Sequence, residues 1–206
     1  MFTGIIQAVG QLRAREAQDV DARLSIASSK LELAGVKLGD SIAVNGVCLT
    51  VTRLEHDGFW ADVSAETLRL TTLGQLAVGA ALNLEKALTL NQPLGGHLLN
   101  GHVDGLGQVV SITPEGRSLQ MEFAARDSLA RYIARKGSIA IDGVSLTVNQ
   151  VQGRRFSVNL VPHSLQETSF GALTLGASVN LEVDLLARYL ERLFEGQLST
   201  RPGHAA

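Results

Sequence analysis

The chain repeats itself with one long period. Residue n matches residue n + 97 without a gap, from the amino terminus through residue 96. Residues 41–52, SIAVNGVCLTVT, return as residues 138–149, SIAIDGVSLTVN. The same shift carries Gly4 to Gly101, Gly10-Gln11 to Gly107-Gln108, Phe59 to Phe156, Thr71 to Thr168 and Asn83-Leu84-Glu85 to Asn180-Leu181-Glu182. Solenoid units run to about 20–50 residues, so this period marks a duplicated domain rather than a stacked repeat. Two similar units imply two similar pockets, and therefore two similar ligands.

With 206 residues, the repeat divides the chain into a first unit over 1–96 and a second over 97–184, followed by a distinct segment over 185–206. Units of this size can hold a core of their own. A net charge of −2 and a pI near 6.2 supply no basic field for nucleic acid or an anionic membrane. The start, MFTGIIQAVG, has neither the basic region nor the long apolar run of a signal peptide or anchor. A single cysteine cannot form an internal disulfide, and the expected location is the cytoplasm.

Each unit reads as short strands broken by turns. GIIQAVGQLRA, ARLSIAS, DSIAV, VCLTVTRLE, FWADVS and ALNLEKA fill the first, and GHVDGLGQVVSI, LQMEFAA, GSIAI, VSLTVNQV, RFSVNL and ASVNLEVD the second. Asn45-Gly46 and Asp142-Gly143 tolerate positive φ and close tight hairpins. Six strands in about 95 residues favour a closed barrel, which removes exposed edges. Short helices are expected over Ser29–Leu33 and Asp127–Arg135, and over Ala65–Leu70 and Ser164–Thr168. Residues 185–197, LLARYLERLFEGQ, have no counterpart in the first half. Leu186, Tyr189, Leu190, Leu193 and Phe194 fall there at helical spacing, giving an apolar stripe in need of a partner. The tail STRPGHAA is expected to be disordered. The expected fold class is all-β: two tandem homologous six-stranded Greek-key-like β-barrels plus a C-terminal amphipathic α-helix.

Candidate chemistry gathers at a few repeat positions. Cys48 and Ser145 are mates, each following a hairpin turn, and Thr50 and Thr147 lie two residues on, hence on the same strand face. A buried cysteine is ordinarily a small hydrophobe, but a serine mate needs a polar partner if buried. GGHLLNGH (95–102) holds two histidines in a glycine-rich stretch. A metal would need a third and fourth ligand, and His56, His163 and His204 are scattered. His97 reads as satisfying backbone groups in a turn, whereas His102 stands where its mate is Ile5. Lys136 stands for Gly39, His163 for Glu66 and Asp184 for Ala87, so the second unit has gained the charged and basic groups. Phosphate-binding glycine loops are absent.

Taken together, MFTGII, SIAVNGVCLTV, AETLRLTTLG, GGHLLNGHVDG, KGSIAIDGVSLTVN, VPHSLQETSFG and VNLEVDLLARYLERL resemble the riboflavin synthases of the alpha-chain type over about residues 1–194. The resemblance implies a homotrimer of two-barrel subunits held through the carboxyl-terminal helix, with lumazine synthase as a partner enzyme. It also implies dismutation of two 6,7-dimethyl-8-ribityllumazine molecules: a four-carbon unit passes between them, giving riboflavin and 5-amino-6-ribitylaminouracil without metal, flavin or nicotinamide cofactor. Carried over residue by residue, the first pocket uses Gly4, Ile5, Ile6, Cys48, Leu49, Thr50, Asp62, Val63, Ser64, Ala65, Glu66 and Thr67. Gly101, His102 and Val103 are expected to close the second pocket, with Lys136, Ser145, Leu146, Thr147, Val161, Pro162, His163, Ser164, Leu165 and Gln166. Ser145, Thr147, His102, Cys48 and Asp184 are the catalytic candidates, and Phe2, Ser41 and His97 are further site candidates.

Two other readings compete. A lumazine or flavin carrier on this fold would be expected to keep one pocket and let the other decay, whereas both repeats here retain the hairpin, the Leu-Thr-Val strand and the segments Glu66-Thr67-Leu68 and His163-Ser164-Leu165. A flavin reductase on a similar barrel would need a nicotinamide-binding βαβ pattern, which is missing.

Overall fold

A computed structural model describes residues 1–28 and 30–199, with side chains to Gly196. Its first unit is a closed barrel of β1 (Ala8–Gln18), β2 (Asp21–Ala27), β3 (Ser41–Val44), β4 (Val47–Glu55), β5 (Gly58–Val63) and β6 (Ala81–Lys86), in the order β1-β2-β5-β4-β3-β6. Alternation decides which face is buried. On β4, Val47, Leu49 and Val51 point inward while Thr50 and Thr52 are exposed. The inward residues join Leu24, Ile26, Phe59, Leu82 and Leu84 in one core.

The second unit repeats the path with β7 (Gly105–Glu115), β8 (Ser118–Ala124), β9 (Ser138–Ile141), β10 (Val144–Thr147), β11 (Gln150–Gln152), β12 (Arg155–Leu160) and β13 (Ser178–Val183). Its order is β10-β9-β13-β7-β8-β12-β11, the same circuit cut at one place. The strand expected over 144–151 is interrupted at Val148-Asn149, where Val148 N–H turns to the carbonyl of Gly137 and Asn149 N–H to that of Ser157. The ladder stays open between β10 and β11, although Val51 N–H bonds the Asp40 carbonyl in the closed barrel just as Val148 N–H bonds that of Gly137. A second core fills this unit, with Phe123 and Phe156 stacked at 5.7 Å.

The short helices fall partly where expected. α1 (Ala65–Leu70) is capped by the Ser64 hydroxyl, which accepts from Thr67 N–H. α2 is shorter than expected, Asp127–Ala130, and α3 begins two residues early at Pro162, running to Glu167. Lys30–Leu33 forms no helix, and Ser29 lies outside the described residues. α4 (Leu185–Ser199) extends the carboxyl end, and the expected disordered tail beyond it also lies outside them.

The units meet about a pseudo-two-fold junction. Asn45-Gly46 and Asp142-Gly143 all have positive φ, as two-residue hairpins with matching twist require. A Cβ on Gly46 would lie 2.7 Å from the backbone nitrogen of Gly143, and the converse distance is the same. Asn83 Nδ2 donates to the Asp142 carbonyl at 3.0 Å, and its mate Asn180 Nδ2 donates to the Asn45 carbonyl at 2.8 Å. Their Oδ1 atoms accept from Ser169 and Thr72 N–H across the same junction, both at 2.7 Å. Each buried amide is thus used as both donor and acceptor, which fixes the relative placement of the units.

Residues 4–6, expected to open a strand, instead form an arm that leaves its own barrel, and residues 101–103 do the same; Gln7 and Asp104 return to their own barrels. Phe2 and Leu99 pair at the crossing through backbone hydrogen bonds of 2.8 and 3.0 Å, packed with Ala43 and Ala140.

Candidate active site

The arms are exchanged. Glu85 on β6 accepts from Thr3 N–H at 2.7 Å and Gly4 N–H at 3.0 Å, tying down the start of the first arm. Glu182 on β13 treats Asn100 and Gly101 N–H alike, at 2.7 and 3.1 Å. Each arm then lies on the opposite barrel. The Gly4 carbonyl accepts from Ser145 N–H at 2.9 Å, and the Gly101 carbonyl from Cys48 N–H at 2.8 Å. Only glycine fits at these crossings. Both have φ near +75°, and a Cβ would fall 2.5 Å from that of Ser145 or 2.6 Å from that of Cys48. Ile6 packs on the second core and Val103 on the first.

This corrects the expected grouping. Gly101, His102 and Val103 lie against the first barrel, beside Cys48, while Gly4, Ile5 and Ile6 lie against the second, beside Ser145. A repeat read from sequence pairs each arm with its own unit, and nothing in the residue pattern reveals a crossing.

On the first barrel, Cys48 and Thr50 stand on the outer face of β4, with Ser41 opposite Thr50 across the β3–β4 ladder. Exposed His102 and partly buried Val103 join them from the arm. Ser64 caps α1, its hydroxyl 3.1 Å from that of Thr67, while Glu66 pairs with Arg69 and Asp62 with Arg23. Leu49 and Val63 point into the core, so they can wall a ligand only through their backbone. A cavity of about 310 Å³ opens beside Ser41, between Ile42, Val36 and Leu88.

On the second barrel, Ser145 and Thr147 take the equivalent places on β10, with partly buried Leu146 between them packed on the core. Val161, Pro162, His163, Ser164, Leu165 and Gln166 form α3 and its amino end. Lys136 is exposed with φ +66, a conformation its mate Gly39 adopts freely and a lysine does not. Holding a lysine in that region carries a backbone cost that glycine avoids.

His97 differs from the turn-filling reading. Its ring Nδ1 lies 2.7 Å from Ser145 Oγ, and its Nε2 is buried without a partner among the described residues. Burial pushes the imidazole below its usual range, opposed by the nearby charge of Asp184. Asp184 itself accepts from Leu186 N–H at 3.0 Å, capping α4. Among the described residues no imidazole is hydrogen-bonded to Cys48 as His97 is to Ser145. Cys48 is a partly buried thiol, whereas the Ser145 hydroxyl has an imidazole nitrogen within hydrogen-bonding distance. Among the described residues no three His, Cys, Asp or Glu side chains converge as a metal ion would need.

A lumazine binding domain profile matches residues 3–87 and again 100–184. The two matches begin at Thr3 and Asn100, the residues whose amides Glu85 and Glu182 hold. The riboflavin synthase of Photobacterium phosphoreum is 45% identical over 94% of this chain and 88% of its own length. That of Mycobacterium tuberculosis (strain ATCC 25618 / H37Rv) is also 45% identical, over 94% of this chain and 98% of its own. The chain belongs to the riboflavin synthase family. A further riboflavin synthase, from Bacillus subtilis (strain 168), is 40% identical over 93% of this chain and 89% of its own. Among solved structures, LumP complexed with riboflavin superposes with a TM-score of 0.83 at 30% identity, over 89% of this chain and 99% of LumP. LumP complexed with 6,7-dimethyl-8-(1′-D-ribityl)lumazine gives a TM-score of 0.80 at 29% identity, with the same coverage. As a riboflavin synthase family member, the chain keeps both lumazine-binding repeats intact.

Proposed function

We propose that the chain joins two molecules of 6,7-dimethyl-8-ribityllumazine, moving a four-carbon unit from one to the other to give riboflavin and 5-amino-6-ribitylaminouracil. The observation that carries this reading is the pair of repeat-related faces, each bearing a Cys or Ser and a Thr on one strand, in a member of the riboflavin synthase family. Two like rings held in fixed orientation turn a rare encounter into a near-unimolecular step.

The faces differ in the way such chemistry requires. One ring must lose a proton from an acidified methyl group and the other must receive a nucleophile. The Ser145–His97 pair supports addition at the second barrel: the imidazole takes the hydroxyl proton as the oxygen bonds to the ring, and Asp184 favours the resulting imidazolium. His102 and Cys48 then belong to the face that handles the other lumazine, and Lys136 and Thr147 complete the second. No metal, flavin or nicotinamide enters the scheme.

The exposed stripe of Leu186, Leu190, Leu193 and Phe194 on α4 supports a homotrimer. Burying each such side chain is worth about 1.5–3 kcal/mol, and three copies multiply that gain. In the trimer the first barrel of one subunit faces the second barrel of a neighbour. Division into barrels over 1–96 and 97–184 with an association helix and tail over 185–206, a cytoplasmic location, and lumazine synthase as a partner complete the reading. Among the described residues no helix is long and apolar enough to cross a membrane.

The test is incubation of the purified protein with the lumazine alone. Riboflavin fluorescence should appear with two substrates consumed per riboflavin formed, unchanged by chelator. Tight binding of lumazine or riboflavin without turnover would instead make the chain a carrier, a role to which its likeness to ligand-bound LumP also lends weight.

A further inference from the structure

Asp104 and Arg188 stand out because the repeat explains one half of their arrangement and not the other. Asp104 is the mate of Gln7, and both do the same backbone work. Gln7 Oε1 accepts from Lys86 N–H at 3.0 Å, and Asp104 Oδ2 accepts from Val183 N–H at 2.8 Å. Gln7 and Asp104 also donate their own N–H groups to Leu84 and Leu181, at 2.9 and 2.8 Å. A neutral amide suffices for that role in the first unit. The second unit places a carboxylate there, largely buried, which carries a desolvation cost unless a cation meets it.

That cation comes from outside the repeat. Arg188, on the first turn of α4, forms an ion pair with Asp104 Oδ1, and its Nη2 also donates to the His102 carbonyl at 3.2 Å. One guanidinium therefore bridges the exchanged arm at His102 and its root in its own barrel at Asp104, on either side of Val103. Val103 is the side chain that packs on the first barrel, and exposed His102 stands between it and Gly101, whose carbonyl accepts from Cys48 N–H. The first unit has no helix after β6 and no such grip on its own arm, where Ile5 is exposed.

We infer that Arg188 and Asp104 form a clasp through which α4 positions His102 on the first-barrel face, making Arg188 a positioning residue for the lumazine bound there. The inference rests on the proposed synthase reading for its ligand, but the clasp can be observed without turnover. Holding two groups of an arm in one place is worth most when the ring in that arm must meet a bound molecule. Because α4 also bears the exposed apolar stripe, the clasp joins the association helix to one ligand face and not to the other.

The test uses the full-length protein with Arg188→Ala, Arg188→Lys, Asp104→Gln and the Arg188→Ala/Asp104→Gln double variant. Asp104→Gln restores the residue of the first unit and keeps the bond to Val183, so it checks the clasp should Arg188→Ala fold poorly. Readouts are hydrogen exchange of the His102 and Val103 amides, riboflavin titration, kcat and KM, and sedimentation. Faster exchange in the arm is expected, with riboflavin affinity at the first-barrel face weakened by about tenfold, an ordinary coupling for contacting groups. The double variant should be no worse than Arg188→Ala, and Arg188→Lys should recover part of the loss. Unchanged exchange and affinity in both single variants would overturn the clasp, as would additive losses or a loss that merely follows dissociation of the assembly. If the unaltered protein made no riboflavin, the synthase reading would fail while arm exchange and riboflavin titration still decided the clasp.

Discussion

The two barrels share a circuit of strands, a hairpin, a bracing glutamate and a crossing arm, yet they carry different ionisable groups. In the first, the face is a partly buried thiol, two hydroxyls and an imidazole on a borrowed arm. In the second, a serine hydroxyl is touched by His97, Lys136 occupies a left-handed backbone position, and a fully buried carboxylate, Asp142, replaces Asn45 at the junction. Duplication supplies two seats of one shape, and the later differences decide what each seat does. Conserving the frame while changing the side chains on it is the economical way to hold two identical molecules and treat them differently.

Exchanging side chains between mates should separate the seats. The largest effect is expected for Ser145→Ala, which should lower kcat by about 10²–10⁴-fold with lumazine affinity nearly unchanged, as for a group engaged only when protons move. Cys48→Ser should be far milder, because it recreates the chemistry of the other face. Equal losses in both variants, measured as kcat against Kd, would mean that the faces do not have distinct roles.

Next in size is the buried acid at the junction. Asp142 has its carboxyl pushed up to about 7 by burial, with the hydrogen bond from Asn180 N–H only partly opposing the shift. The folded protein thus favours the protonated acid. That contribution is present in full below the ordinary carboxyl range near 4 and is lost as the pH climbs through about 7. Asp142→Asn should therefore stabilise the protein at pH 8 by up to ~4 kcal/mol and leave it unchanged near pH 4. Asn45, which already accepts from Asn83 N–H at 2.7 Å, shows that the amide fits. Unfolding midpoints across that pH range supply the check, and the reciprocal Asn45→Asp should introduce the same pH dependence.

The junction should be less tolerant than the loops. Gly46→Ala combines a left-handed φ with a close backbone and should cost about 2–5 kcal/mol in denaturant unfolding. Gly35→Ala has a similar φ but open space around it, and should cost only about 1–2 kcal/mol. The smallest effect is expected at Lys136. Replacing it by the glycine of its mate relieves the backbone and should raise stability by roughly 0.5–1 kcal/mol, net of the added chain entropy, while weakening ligand affinity at the second face. A Lys136→Gly variant that binds lumazine normally would remove the lysine from the site.

Much of this architecture was legible in the residues. The 97-residue period gave two units, and Asn45-Gly46 and Asp142-Gly143 gave their hairpins. Alternation gave the inward and outward faces of β4, and helical spacing gave the apolar stripe of α4. What the sequence hid was long-range. The break at Val148-Asn149 lies in a run as apolar and β-branched as its mate, and Val148 N–H bonds Gly137 just as Val51 bonds Asp40 in the closed barrel, so nothing local marks where the ladder parts. The arm exchange was hidden because Gly4 and Gly101 are identical in both units, so a crossed and an uncrossed pairing have the same pattern. His97 looked like a turn residue because the serine it touches is 48 positions away.

The arm exchange is the central claim, and the borrowed imidazole tests it most directly. In full-length protein titrated with riboflavin, the backbone amide of Thr50 reports the first-barrel face and that of Thr147 the second. His102→Gln should weaken the binding event seen at Thr50 and leave that seen at Thr147 unchanged. Weakened binding at Thr147, with Thr50 unaffected, would return His102 to its own barrel and contradict the exchange.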